Sequence, residues 1–198
     1  NSDFGNLTST KNGLGSATSG NTYFDNYKSC QIDRLVKVIQ LGDSLTEQPI
    51  NVTPDGSSTS ELLQYRYISK AVDVINKGVS GNTLVQMLAR SNTDVHANYI
   101  NHSKAKNVCV LLGGTNDILQ GTSVETTYGR WLSMAQDIKA NGWILVAVTI
   151  PPRGNDNAYG VKANDFNNLM KASGLCDNII DLFEIMADPS TKSAKSGY

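Results

Sequence analysis

Ser44 follows Gly42 and Asp43 at the end of an apolar run, where the glycine permits a tight turn and sets a hydroxyl at the mouth of the next segment. A serine in that position is either a nucleophile or the N-cap of a helix. A second apolar run leads through Lys77, Gly78, Val79, Ser80, Gly81, Asn82 and Thr83 into a helical pattern whose first N–H groups lack internal partners. Gly81 there either closes the turn or lets its own N–H approach a substrate oxygen. A third run ends in Gly113, Gly114, Thr115, Asn116 and Asp117, which is either a plain turn or a device that sets the Asn116 carboxamide beside the same place. A hydroxyl, a bare backbone donor and a carboxamide are together the parts of acyl transfer at serine. The hydroxyl attacks a carbonyl carbon, and the donors stabilise the oxyanion that the attack creates.

These segments can act together only if the fold brings them to one edge. From Leu35 onward, strand-length apolar runs alternate with longer amphipathic stretches, the pattern of an α/β protein built on a parallel sheet. The strands are expected at Leu35–Leu41, Val72–Asn76, Asn107–Leu112, Trp143–Ile150 and Asn178–Leu182, all rich in Val, Ile and Leu. Helices are expected at Ser60–Ala71, Thr83–Ser91, Val124–Ala140 and Asn164–Ser173, with a short one within Asp94–Ser103. Gly142 and Gly174 read as helix stops, and Pro151 and Pro152 force the chain out of the fourth strand. The expected sheet has five strands in the order 2-1-3-4-5, with helices on both faces and a crevice beyond the carboxyl ends of the first three. Cys109, between Val108 and Val110 in a core strand, is expected to be buried and unpaired.

The chain has 198 residues, of which 39% are hydrophobic and 18% charged, with a formal charge of −1. One domain with a single core fits that length, and the near-neutral charge argues against nucleic acid as a partner. No apolar run approaches the ~20 residues of a membrane span, the first residues lack signal-peptide features, and a soluble chain is expected. Cys30, Cys109 and Cys176 are too few and scattered for a disulfide framework or a zinc site, so no metal is expected. Residues 1–29 are dominated by Asn, Ser, Thr and Gly and form a polar N-terminal arm, either a flexible leader or a segment pinned by Phe4, Tyr23, Phe24 and Tyr27 to the domain or to a neighbouring subunit.

With its three blocks in order, each after a strand, the sequence resembles the GDSL family, also called SGNH hydrolases, over residues 35–188. The blocks are Gly42-Asp43-Ser44-Leu45, Gly81 within Ser80–Thr83, and Gly114-Thr115-Asn116-Asp117. The resemblance implies a flavodoxin-like three-layer α/β/α fold for residues 30–198 and an esterase, lipase or carbohydrate deacetylase activity without cofactor. It implies that Ser44 is the nucleophile and that the Ser44 N–H, the Gly81 N–H and the Asn116 side chain form the oxyanion hole. The family's last block, Asp-x-x-His, supplies the general base His and its orienting Asp. No such pair follows Leu182, and the only histidines, His96 and His102, fall between the second and third blocks on a segment expected to lie exposed, outside the sheet. The expectation is a chain cut before its last block, with a partner chain as the other source of the base.

Polar residues in Gln48–Ser60 and in Arg153–Tyr159 either suit a carbohydrate or form ordinary solvated connections, and aromatic residues, at 7%, offer no obvious long acyl site. The expected reaction is removal of small acyl groups, acetyl above all, from a glycan. The alternative is a catalytically inactive carbohydrate-binding or phage-tail structural module on the same fold. The arm's composition is similar to that of phage tail-fibre modules, which points to an extracellular or virion-associated setting.

Overall fold

The computed structural model describes residues 36–47 and 72–196. The expected arm, the helix at Ser60–Ala71, the loop Gln48–Ser60 and Cys30 lie outside the described residues. Five parallel strands form one sheet in the order β2-β1-β3-β4-β5: β1 Val36–Gly42, β2 Val72–Gly78, β3 Lys106–Leu112, β4 Ile144–Val148 and β5 Asn178–Ile180. Helices lie on both sides, so the α/β, flavodoxin-like arrangement expected from the alternation of elements is the one observed.

Seven helices are described: α1 Ser44–Glu47, α2 Leu84–Ala89, α3 Ser91–Asp94, α4 Thr115–Leu119, α5 Val124–Ala140, α6 Asn157–Ala172 and α7 Leu182–Met186. One sheet face carries Ile39, Leu41, Cys109, Leu111, Leu145 and Ala147, all fully buried. They belong to one cluster with Leu84 and Met87 of α2, Trp131, Met134, Ala135 and Ile138 of α5, and Ala163, Phe166 and Met170 of α6. Each large apolar side chain buried there contributes roughly 1.5–3 kcal/mol. Local chemistry sets the helix ends: Ser123 Oγ accepts from the Thr126 N–H, the Asp156 carboxylate accepts from the Tyr159 N–H, and Gly142 and Gly174 follow α5 and α6 at positive φ as expected stops.

Some boundaries differ from the sequence expectation for identifiable reasons. The fourth strand ends at Val148 because the Asn167 carboxamide accepts from the Ile150 N–H and donates to its carbonyl, taking that residue off the ladder. Helix α6 begins at Asn157, well before Asn164, since the Asp156 cap outweighs the polar run that follows it. The segment Asp94–Ser103 holds only the end of α3 and a 3-10 turn, His96–Asn98.

The register matters most for function. Gly42 of β1 pairs with Gly78 of β2 on one side and Leu112 of β3 on the other, so the three motif-bearing turns leave the sheet from one row. Helix α1 lies directly over this row, and a Cβ at Gly78 would stand 2.0 Å from the Glu47 nitrogen. Glycine is therefore required there by close backbone approach. Among the described residues no helix is long and apolar enough to cross a membrane.

Two measurements test this packing. Burial pushes the Cys109 thiol up to about 12, so at pH 8 it holds its proton and lies out of reach of reagents. It is expected to resist labelling in the native protein and to label once unfolded in urea; immediate native labelling would contradict the structure. In α6, Gly160→Ala improves helix propensity by about 1 kcal/mol. Its new Cβ, however, would meet the Lys192 carbonyl oxygen at 2.1 Å. Overpacking wins, and urea denaturation is expected to show a net loss of about 1–3 kcal/mol.

Candidate active site

Ser44 is the first residue of α1 and is exposed at the carboxyl edge of the sheet. The turn beneath it is held by Asp43, which is fully buried, accepts from the Leu45 N–H through Oδ1 at 2.9 Å, and offers its carbonyl to the N–H groups of Thr46 and Glu47. Asp43 Oδ2 has no hydrogen-bond partner, and burial raises the carboxyl above its ordinary pKa. Asn76 fastens α1 to β2 by donating to the Thr46 carbonyl at 2.7 Å while its Oδ1 accepts from the Gly78 N–H at 2.8 Å.

The second turn is built on Gly81 at φ +78°, with the Asn82 N–H donating to the Val79 carbonyl. Arg90 of the chain just after α2 reaches back across it. Its guanidinium donates to the carbonyls of Gly42 and Lys77, to Asn82 Oδ1 and to the Asp94 carboxylate, at 2.5–3.0 Å. In the third turn, Asn116 Nδ2 donates to the Asn82 carbonyl at 2.9 Å. An amide nitrogen carries two hydrogens, so one anchors the group and the other remains for a ligand. Asp117, fully buried, accepts from the Leu84 N–H and from Arg130 Nη1, at 2.9 and 2.8 Å.

A crevice of about 260 Å³ opens over these turns, lined by Ser44, Leu45, Thr115, Asn116, Leu119, Pro151, Pro152, Arg153 and Tyr159. The structure thus brings Ser44 and Asn116 to one cavity. Gly81 lies on the adjoining turn, one residue before the carbonyl that anchors Asn116, and does not line this cavity. From sequence, Tyr159 stands out only as part of the polar Arg153–Tyr159 loop and Thr115 only within the third block, Leu119 carries no signal, and neither does Arg90. Its role depends on carbonyls that only the sheet register brings together.

Neither histidine lines the crevice. His102 accepts from the Lys104 N–H through Nδ1 at 3.2 Å. His96 is not the exposed residue expected from sequence: its side chain is 12% exposed and its Nε2 meets the Asp137 carboxylate at 2.8 Å. Helix α5 leaves the carboxyl end of β3 and must run back to start β4, so Asp137 in its final turns lies toward the opposite end of the sheet from Ser44. Among the described residues no group of three His, Cys, Asp or Glu is placed to hold a metal ion.

The pattern of the GDSL-like lipase/acylhydrolase family matches residues 41–197. No curated protein matches the chain. Among solved structures, the acetyl xylan esterase AlAXEase is similar, with 22% identity, a TM-score of 0.59, and 75% of this chain and 78% of that chain covered. A point mutant of Axe2, an acetyl-xylooligosaccharide esterase from Geobacillus Stearmophilus, gives 20% identity and a TM-score of 0.58, covering 75% of this chain and 78% of that one. A GDSL-like lipase from Bacteroides thetaiotaomicron VPI-5482 gives 20% and 0.58, covering 89% and 85%. At these identities the likeness is one of fold.

The buried Asp117 carboxylate holds the start of α2 and pairs with Arg130, so its removal strands two donors. Asp117→Ala is expected to cost about 3 kcal/mol, toward the lower end for a broken buried pair because Arg130, 35% exposed, can turn to water. Urea denaturation reads the loss; a change below about 1 kcal/mol would mean that the pair does not hold the turn.

Proposed function

The chain belongs to the GDSL-like lipase/acylhydrolase family, and from that premise we propose that it is a serine ester hydrolase acting through an acyl-Ser44 intermediate, removing small acyl groups from a glycan. The observation that carries this reading is the shared crevice of Ser44 and Asn116, with the Asn116 amide already anchored on Asn82. In the proposed reaction Ser44 Oγ attacks the ester carbonyl carbon and gives up its proton to a general base, which passes it on to the leaving alcohol. The oxyanion is received by the backbone N–H groups of Ser44 and Gly81 and by the free Asn116 amide hydrogen. Collapse expels the alcohol, which takes a proton, and water then cleaves the acyl-serine ester.

A crevice of about 260 Å³ has room for an acetyl-sized group beside Ser44. The acetyl esterases among the similar folds support that choice of group. The Asn-, Ser-, Thr- and Gly-rich first residues support an extracellular or virion-borne setting, where acylated glycans are met.

The general base is assigned to a segment continuing past the described residues or to a neighbouring chain. Residues 187–196 fold back on themselves through the Ala187–Ala194 bridge, and the Ala194 N–H donates to the Gly154 carbonyl at 2.8 Å. Gly154 adjoins Arg153 of the crevice wall, so the chain at this point runs beside the site. The inactive binding module is the second reading, favoured by the absence of any described histidine from the crevice.

Acyl-enzyme formation from 4-nitrophenyl acetate, followed by mass spectrometry on this chain and on one extended at its C-terminus, separates the readings. The extended chain is expected to turn over and this one to be impaired, Ser44→Ala to abolish acylation, and Asn116→Ala to lower turnover by about 10²–10³-fold. Unchanged turnover in Ser44→Ala would overturn the mechanism. Glycan binding without acylation in both chains would establish the inactive module.

A further inference from the structure

The proposed chemistry leaves Arg153 unused, although it lines the crevice with Ser44. It follows Pro151 and Pro152 beyond β4, and the fixed φ of two prolines limits where the loop can place it. The other two arginines among the described residues each hold a carboxylate, Arg90 that of Asp94 and Arg130 that of Asp117. Arg153 makes no ion pair or side-chain hydrogen bond with any of the described residues. Among the described residues, the acids near it are committed or buried. Asp156, three residues on, caps α6 by accepting from the Tyr159 N–H at 2.9 Å. Asp43 lies under the floor, fully buried, with burial favouring its neutral form.

A second observation comes from the floor. Tyr159 is 4% exposed and lines the same crevice, and its hydroxyl is buried without a hydrogen-bond partner. The Thr115 hydroxyl is its neighbour and interacts with it, but neither makes a hydrogen bond of good geometry with any group among the described residues. Buried hydroxyls without partners are uncommon. Here they sit beside a guanidinium that has no carboxylate partner among the described residues, and whose planar donors suit one.

We propose that Arg153, with the Tyr159 and Thr115 hydroxyls, forms a carboxylate subsite, so that the ester taken at Ser44 carries a negative charge. The carboxylate belongs either to an acidic sugar that bears the acyl group or to the acyl group itself. This inference rests on the hydrolase reading for its substrate and on the crevice alone for its binding.

The test reads binding and turnover separately. By calorimetry in low salt, methyl glucuronide is expected to bind the full chain at least about tenfold more tightly than methyl glucoside, an advantage that shrinks as salt is raised. Arg153→Gln is expected to remove that ratio, and Lys162→Gln, an exposed change elsewhere on α6, to keep it. Equal binding of the two sugars, or a ratio surviving in Arg153→Gln, would overturn the proposal. In the C-terminally extended chain, kcat/KM is then compared for acetylated methyl glucuronide against acetylated methyl glucoside, and for 4-nitrophenyl hydrogen succinate against 4-nitrophenyl acetate. A preference in the first pair places the carboxylate on the alcohol side, and in the second pair on the acyl side. Turnover with no charge preference in either pair would defeat the subsite and leave the hydrolase standing. Charge-selective binding without any acylation of Ser44 would keep the subsite and defeat the hydrolase.

Discussion

The Arg90 guanidinium is the fastener on which the geometry of the crevice depends. At the carboxyl end of the sheet the strand-end carbonyls keep a spare lone pair, the Gly42 carbonyl already accepting from the Val79 N–H at 3.1 Å, and a charged donor on that second lone pair ties strand to turn. Arg90 answers two of them at once, those of Gly42 and Lys77, and directs its remaining donors to Asn82 Oδ1 and the Asp94 carboxylate. The ends of β1 and β2 and the Gly81 turn become one rigid piece. Asn82, positioned in this way, presents its own carbonyl to Asn116. The third turn is thus located by the second, and the second by a side chain outside the crevice.

A parallel tie runs through Asp117, the residue after Asn116. Its two carboxylate oxygens reach the first N–H of α2 and the Arg130 guanidinium, so the third turn is also fixed to α2 and α5. The two ties act in opposite directions: Arg90 carries positive charge to carbonyls of the sheet edge, and Asp117 carries negative charge to an N–H at a helix start. Each of these charges has an opposite partner, which makes an ion away from water tolerable. Asp43 is the exception, with one oxygen unpartnered and its carboxyl pKa raised by burial.

What the sequence made legible follows from how local each signal is. The alternation of apolar runs and amphipathic stretches is carried within each segment, and it located all five strands and the full extent of α5. The turn after β1 was legible because Gly42 and Ser44 are near neighbours in the chain. Arg90 was not, because its four acceptors come from residues 42, 77, 82 and 94 and meet only after the sheet has formed. The start of α6 was missed for a related reason: its opening turn is polar, and its signal is the Asp156 cap rather than an apolar period. His96 reads as a surface residue, yet its Asp137 partner lies 41 positions away on another helix.

The crevice divides into a floor and a rim that obey different physics. The Asn116 amide of the floor and the Asp43 and Asp117 carboxylates beneath it are set by hydrogen bonds between groups largely sealed from water, where each bond is strong and a misplacement leaves a stranded charge or donor. Under the proposed hydrolase reading that rigidity suits the Asn116 donor, because catalysis gains from dipoles oriented before the reaction begins. The rim, Leu45, Leu119 and Arg153, rests on exposed loops and short helices that few buried contacts constrain. Substitution there alters what is admitted without disturbing the sheet edge beneath. A single scaffold can therefore hold the donors of its sheet edge fixed while the charge and shape of the rim vary.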